Sequence, residues 1–234
     1  MAGTKIKITT SGKEYKPRTA DLLAVIFKDD PVIRYMLSSL TAPQRQAYIQ
    51  DYFHVLLKAA MLNDAIFQEA DNFSSMAVWI KPGKKVVNYA NIIQSGFIQT
   101  LFKLGFGGVK RMLVDFVSVS DAIKARQLKQ KGIEKYYYLF FVGTVEESQG
   151  RGLAKVLIRK WQERSAEEGD FPIWLEATTP KSRDVYVKCG FEVLEEMTLG
   201  IGTHNADGDF EKGGEGVKLW AMLWQPSSKN ASDL

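Results

Sequence analysis

The run VEESQGRGLAKVLI (145–158) places two glycines within three residues, after an almost wholly apolar stretch, YYYLFFVGT (136–144), and before an amphipathic one. Glycine at such a junction loses conformational entropy on folding, so something there requires bare backbone. A helix N-terminus carries unpaired N–H groups and the positive end of the helix dipole. A glycine turn in front lets those groups converge on an anion, most often a phosphate. Phosphate binding is therefore the chemistry suggested by Gln149, Gly150, Arg151, Gly152, Leu153 and Ala154. Two nucleotide patterns fail. No G-x-x-x-x-G-K-[ST] is present, and Lys155 stands where the dinucleotide fingerprint needs its third small residue. GFGGVK (105–110) fails as well: it lies between helical segments and reads as a helix break.

The elements that must position this junction follow from periodicity. Tyr136–Val145 is so apolar that both its faces should be covered, as in a central strand. Gly152–Glu168 has helical spacing, with Leu153, Val156, Leu157 and Trp161 on the buried face. Ile173–Ala177 is a strand, Ser182–Lys188 a short helix closed by Gly190, and Phe191–Leu194 leads into another strand. Lys218–Trp224 is the last strand. Upstream, Lys5–Thr10 alternates as a strand. Thr19–Lys28 is helical, Asp30-Pro31 opens a second helix, and Pro43–Met61 forms a longer one with Tyr48, Tyr52, Val55, Leu56 and Ala59 on one side. Ala65–Ala70 and Ser75–Ile80 are strands, the second ended by the turn signal Lys81-Pro82-Gly83. Residues 88–130 are helical with breaks, with Ile93, Phe97, Leu101 and Leu104 in one stripe. The strand–helix alternation from 136 to 194 predicts an α/β layer with some parallel strands.

Composition limits the function classes. The 234 residues contain 31 basic and 27 acidic side chains, a net charge of +4. That balance, without a basic block, argues against nucleic acid as partner. Cys189 is the only cysteine and His54 and His204 the only histidines. No disulfide can form within the chain, and no metal-ligand spacing exists, so no metal is expected. The N-terminal residues lack the apolar core of a signal peptide, and no apolar run spans a membrane. A cytoplasmic protein with no membrane partner is expected. SSKNASDL at the C-terminus (227–234) is expected to be a flexible tail, behind one domain over 1–226 with a helical insertion at about 84–132.

Gln149-x-x-Gly152-x-Ala154 matches Q/R-x-x-G-x-G/A, the coenzyme A pyrophosphate loop of the GNAT N-acetyltransferase superfamily. LEATTPKSRDVYVKCGFEV (175–193) resembles the superfamily's strand and helix ending in Tyr-x-x-x-Gly-Phe, here Tyr186, Gly190 and Phe191. DDPVIRYM and VWIKPG (78–83) resemble small-molecule acetyltransferases of fungi and bacteria, puromycin acetyltransferase-like proteins among them. Two departures are the absence of Pro near Glu146 and Thr179 in place of Asn or Ser. The resemblance implies a GNAT fold of α/β (α+β) class: a mixed central sheet of about six to seven strands, flanked by helices, whose two central parallel strands splay apart.

It also implies acetyl transfer from acetyl-CoA to an amine of a small molecule or peptide, by direct attack. The alternative is a CoA- or acyl-CoA-binding module that has lost turnover. The pyrophosphate would sit on the N–H groups of Gly150 through Ala154, with Arg151 either a charge partner or merely solvated. The pantetheine would pair with the backbone of Val142, Gly143, Thr144 and Val145, and the Val145 N–H, or a neighbour, would stabilise the oxyanion. Tyr186 holds the family position of the acid that protonates the leaving thiolate; otherwise it packs on the sheet. Glu176 is the first candidate base and Glu69 the second, ahead of His54 and His204. Cys189 is expected to be a packed thiol. The acceptor pocket should come from helices 19–62, the 88–130 insertion and the 196–216 loop. Phe97, Phe102, Phe106 and Met112 would line a pocket, form a homodimer face or simply pack.

Overall fold

Seven strands, spelled out by β-branched and aromatic runs, join in one sheet in the computed structural model, which describes residues 6–87 and 91–226. They are β1 (Ile8–Ser11), β2 (Ile66–Ala70), β3 (Ser75–Ile80), β4 (Tyr137–Thr144), β5 (Ile173–Ala177), β6 (Glu192–Leu199) and β7 (Val217–Trp224). Their order is β1-β2-β3-β4-β5-β7-β6. Only β4 and β5 run parallel; every other pairing is antiparallel. The mixed α/β sheet inferred from the sequence is the sheet observed, and β3 and β5 begin and end where their apolar runs do. Lys5, the expected start of the first strand, the 227–234 tail and residues 88–90 lie outside the described residues.

Two apolar layers cover the sheet. On one face lie α1 (Lys16–Ile26), α2 (Pro31–Met36) and α3 (Ala42–Leu62), followed by the insertion: α4 (Ile92–Ser95), α5 (Phe97–Lys110), a π-helical stretch (Arg111–Ser118) and α6 (Val119–Gln130). On the other lie α7 (Leu153–Gly169) and α8 (Pro180–Val187). Trp161 of α7 stacks on Trp79 of β3, ring centroids 4.8 Å apart and planes 8° from parallel. Burial of such a ring stabilises the fold by about 1.5–3 kcal/mol.

Two helical expectations change. In α3 the buried face runs through Ile49, Phe53, Leu57 and Ala60 beside Tyr52 and Leu56, leaving Tyr48 and Val55 half-buried at its flank. In the insertion Phe97 and Leu104 are buried, but Ile93 is 69% exposed. Gly96, at φ 88°, breaks the helical phase between them, so one stripe becomes two faces. The break expected at 104–108 is present as a kink at Gly105, φ 64° and ψ −174°.

The centre of the sheet opens. β4 and β5 pair only at Tyr137 with Ile173 and at Tyr138 with Trp174, then part. Just beyond, the β3–β4 register jumps from Trp79–Leu139 to Val78–Phe141, leaving Phe140 as a bulged extra residue. The bulge breaks strict alternation and lets the consecutive rings of Phe140 and Phe141 face one cavity.

Candidate functional site

The turn between β4 and α7 has the backbone geometry that an anion site requires. Gly150 and Gly152 adopt φ 78° and 79°, backbone that L side chains rarely take. A Cβ on either would meet nothing within 4 Å, so conformation and not crowding requires glycine there. Among the described residues the N–H groups of Gly150, Arg151, Gly152, Leu153 and Ala154 make no backbone hydrogen bond, whereas α7 begins with Val156 N–H donating to Gly152. They are the orphan donors of a helix N-terminus. Gln149 ties the turn down, its Nε2 donating to the Thr144 carbonyl at 3.5 Å and its Oε1 accepting from Lys181 of α8 at 2.9 Å. The Arg151 guanidinium is paired with Asp71 of the β2–β3 turn. These residues fit a pyrophosphate: free donors, no obstructing side chain, and an adjoining strand edge.

That edge divides the four residues of the expected pantetheine track, Val142 to Thr144 of β4 and Val145 just after it. Val145 N–H donates to Ser74 O at 3.0 Å. Antiparallel pairing alternates, so Gly143 and Val145 turn their backbone groups toward β3, and Val142 and Thr144 turn theirs into the splay. The Val145 amide is thus already engaged, and the amides this strand turns into the splay are those of its neighbours Thr144 and Val142. Gly143 has a packing reason of its own: a Cβ there would lie 3.1 Å from Ile26 of α1.

A cavity of about 420 Å³ lies beside the splay. Phe27 at the end of α1, α2, α3 and the insertion wall it, and Phe97 and Met112 are in its lining; Phe102 and Phe106 are 83% and 88% exposed and are not. The 196–216 loop does not line it. That loop packs on α2, held by Asp209 against Arg34 and Arg45.

Two of the four carboxylates in the lining, Glu176 and Asp30, have opposite character. Glu176 accepts from Ser120 and from the Trp174 indole, both at 2.7 Å, and pairs with Lys124 at 3.4 Å. Burial alone would raise its carboxyl. Lys124 first, then hydrogen bonds from Trp174, Ser120 and Tyr138, outweigh burial and hold it below the ordinary range. A carboxylate so satisfied is a poor base. Asp30 is the reverse. One oxygen caps α2, accepting from Val32 N–H at 3.0 Å and Ile33 N–H at 3.1 Å, and the other accepts from Thr178. Burial pushes its carboxyl above the ordinary range, with those bonds only partly opposing. The sequence marked Asp30 as a helix cap only; the doubled acid in Asp29-Asp30-Pro31, where one suffices for capping, was the available signal.

Tyr186 is buried on the α7–α8 side of the sheet, and among the described residues its hydroxyl has no hydrogen-bond partner. Burial first, then the charge of Asp30, raise the phenol far above its usual range, so it keeps its proton. Glu69 is bound at the β1–β2 edge by Thr9 and by the Phe73 amide at 2.7 Å, and is not in the cavity lining. His54 bridges Asp21 and Lys16 outside the cavity, and His204 lies buried between Ser38 and Thr203. Burial raises the Cys189 thiol, which suits a packed residue. Among the described residues no cluster of His, Cys, Asp and Glu could hold a metal ion, and no helix is long and apolar enough to cross a membrane.

Comparison with known proteins agrees with this geometry. Residues 126–199 match the family model of FR47-like proteins. An uncharacterised N-acetyltransferase of Schizosaccharomyces pombe is 28% identical over 187 residues, 80% of this chain and 74% of that protein. Among solved structures, arylalkylamine N-acetyltransferase 2 of Aedes aegypti superposes with a TM-score of 0.61 at 18% identity, over 95% of this chain and 99% of that one. A polyamine N-acetyltransferase of Drosophila melanogaster, which forms N-acetylagmatine, does so with 0.59 at 11%, over 94% and 100%. The fold is the one these acetyltransferases share.

Proposed function

We infer that this chain, whose fold and motifs are those of the GNAT superfamily, transfers an acetyl group from acetyl-CoA to the amine of a small molecule held in the 420 Å³ cavity. The observation that carries the reading is the parting of β4 and β5 after two paired residues, with the Gly150–Gly152 turn at one end and the cavity beside it. Acetyl-CoA supplies the activated thioester. The amides of Gly150 to Ala154 bind its pyrophosphate, and the outward backbone of Val142 and Thr144 pairs with its amide-rich arm.

The acceptor amine attacks only when unprotonated, and Asp30, with its raised carboxyl, takes the proton. A backbone N–H from β4 stabilises the oxygen on which charge develops. Tyr186 returns a proton to the departing sulfur. Glu176 is assigned to the cavity's charge structure and not to proton transfer. The S. pombe relative's name and the amine substrates named for the insect structures support an amine acceptor.

The test is a thermal shift followed by thiol release. Acetyl-CoA should raise the melting temperature while ATP and NAD do not, since a ligand that binds the native state alone stabilises it. Thiol should then appear with a primary amine. Stabilisation without thiol release from any amine would favour a binding module instead.

A further inference from the structure

Lys124 holds an unusual position for a lysine. Its side chain is 13% exposed and that of its partner Glu176 4%. The ammonium lies 3.4 Å from the Glu176 carboxylate, 3.6 Å from Asp121, 4.6 Å over the Tyr138 ring and 5.9 Å from that of Trp174. Tyr138 and Trp174 are the last residues paired before β4 and β5 part. The ammonium therefore sits at the point where the strands open, in the lining of the proposed acceptor cavity. A buried carboxylate beside two aromatic faces is what a substrate ammonium would seek. Here the protein fills that place itself.

The rest of the lining agrees. Asp30, Asp121, Glu134 and Glu176 face Lys84, Lys85 and Lys124: four carboxylates against three lysines. A polyamine brings two or more charges and needs a clear acidic surplus, because a buried charge left unpaired is costly. The apolar walls, among them Phe27, Phe97, Phe116, Phe140 and Phe141, suit an uncharged body. The fold does not decide the matter, since it serves an arylalkylamine enzyme in one insect and a polyamine enzyme in another.

We propose that Lys124 is a built-in counter-ion that sets acceptor charge, so that the cavity takes monoamines with an apolar or aromatic body and rejects di- and polyamines. The proposal rests on the acceptor-site reading above. It places Lys124 as a specificity-determining residue acting through Glu176.

The experiment measures binding of tryptamine, agmatine and spermidine to the CoA-loaded protein by calorimetry, with thiol release from acetyl-CoA in parallel. The wild-type chain should bind tryptamine at least about tenfold more tightly than either polycation. Lys124→Met, which bares Glu176, should raise agmatine and spermidine affinity relative to tryptamine at least about tenfold. Lys124→Arg should keep the wild-type order. The double variant Lys124→Met with Glu176→Gln removes both charges, avoids a bare buried carboxylate should the single variant fold poorly, and should restore the wild-type order. Equal binding of polyamine and tryptamine by the wild type, an unchanged ratio in Lys124→Met, a shift toward the polyamines in the double variant, or no binding of any of the three overturns the proposal. Selective tryptamine binding without thiol release overturns the enzyme reading and leaves this one standing; preferential turnover of spermidine does the opposite.

Discussion

Replacing Gly152 by alanine separates the loop's backbone geometry from its ligand chemistry. At φ 79° and ψ 10°, alanine adopts a left-handed conformation that costs a non-glycine residue roughly 1–2 kcal/mol. The new Cβ meets nothing within 4 Å, so no steric cost is added. In a domain of this size each kcal/mol lowers the melting temperature by about 2–4 °C, so the free protein should lose roughly 2–8 °C. Binding should suffer more. The methyl group projects from a cradle whose amides meet a charged pyrophosphate, and each such bond is worth about 1.5–3 kcal/mol. Losing one weakens acetyl-CoA roughly 10- to 150-fold. Gly213 is the matched control, with φ 81° and likewise nothing within 4 Å of an added Cβ, in a loop outside the cavity lining. Gly213→Ala should lose the same stability and keep wild-type affinity. Calorimetric titration of acetyl-CoA into both variants, with a melting curve for each, is the assay. If Gly152→Ala binds as tightly as Gly213→Ala, the loop does not hold the pyrophosphate and the assignment is refuted.

Tyr186→Phe should slow acetyl transfer by about 100-fold or more while leaving acetyl-CoA affinity and stability nearly unchanged, because the lost hydroxyl has no protein partner among the described residues; a fall in affinity matching the fall in rate would argue for a packing role instead. Asp30→Asn should keep α2 capped, since Asn caps as well as Asp, yet lower kcat/KM by about 100-fold or more and abolish the acid limb of the pH–rate profile. The same variant has a stability signature. Asp30's folded pKa is raised, so the native state binds the extra proton between the ordinary carboxylate pKa and the raised one, and stability falls as pH rises through that window. Urea titrations from pH 4 to 8 should show that fall in the wild type and its loss in Asp30→Asn. Trp161→Ala should cost about 3–5 kcal/mol in chemical denaturation. Trp161→Phe should cost much less, because the indole N–H it removes is buried without a partner among the described residues.

What the sequence could show depended on whether a feature is local. The strand ends at Ser75, Ile80, Ile173 and Ala177 are set by apolar runs and turn residues beside them, and Asp30-Pro31 opens a helix by its own chemistry. The loop motif is local too, because helix-end amides and glycine dihedrals need no distant partner. The splay came only from family likeness. Parity along β4 was out of reach: whether Val145 or Thr144 faces the splay depends on register with β3, some seventy residues away. The same holds for Glu176. Its end-of-strand position made it a plausible base until Lys124 and Ser120, more than fifty residues earlier, were seen to saturate it. Asp30 was legible as a cap and illegible as a cavity carboxylate, because burial is a property of the assembled fold.

The most direct measurement of the central claim is mass spectrometry of a single reaction mixture holding the protein, acetyl-CoA labelled in its acetyl group, and tryptamine. The account expects a labelled N-acetyl amide together with free CoA in equal amounts, and neither product in quantity from the Tyr186→Phe variant over the same time. Tight acetyl-CoA binding with no labelled amide from tryptamine or any other primary amine would contradict it.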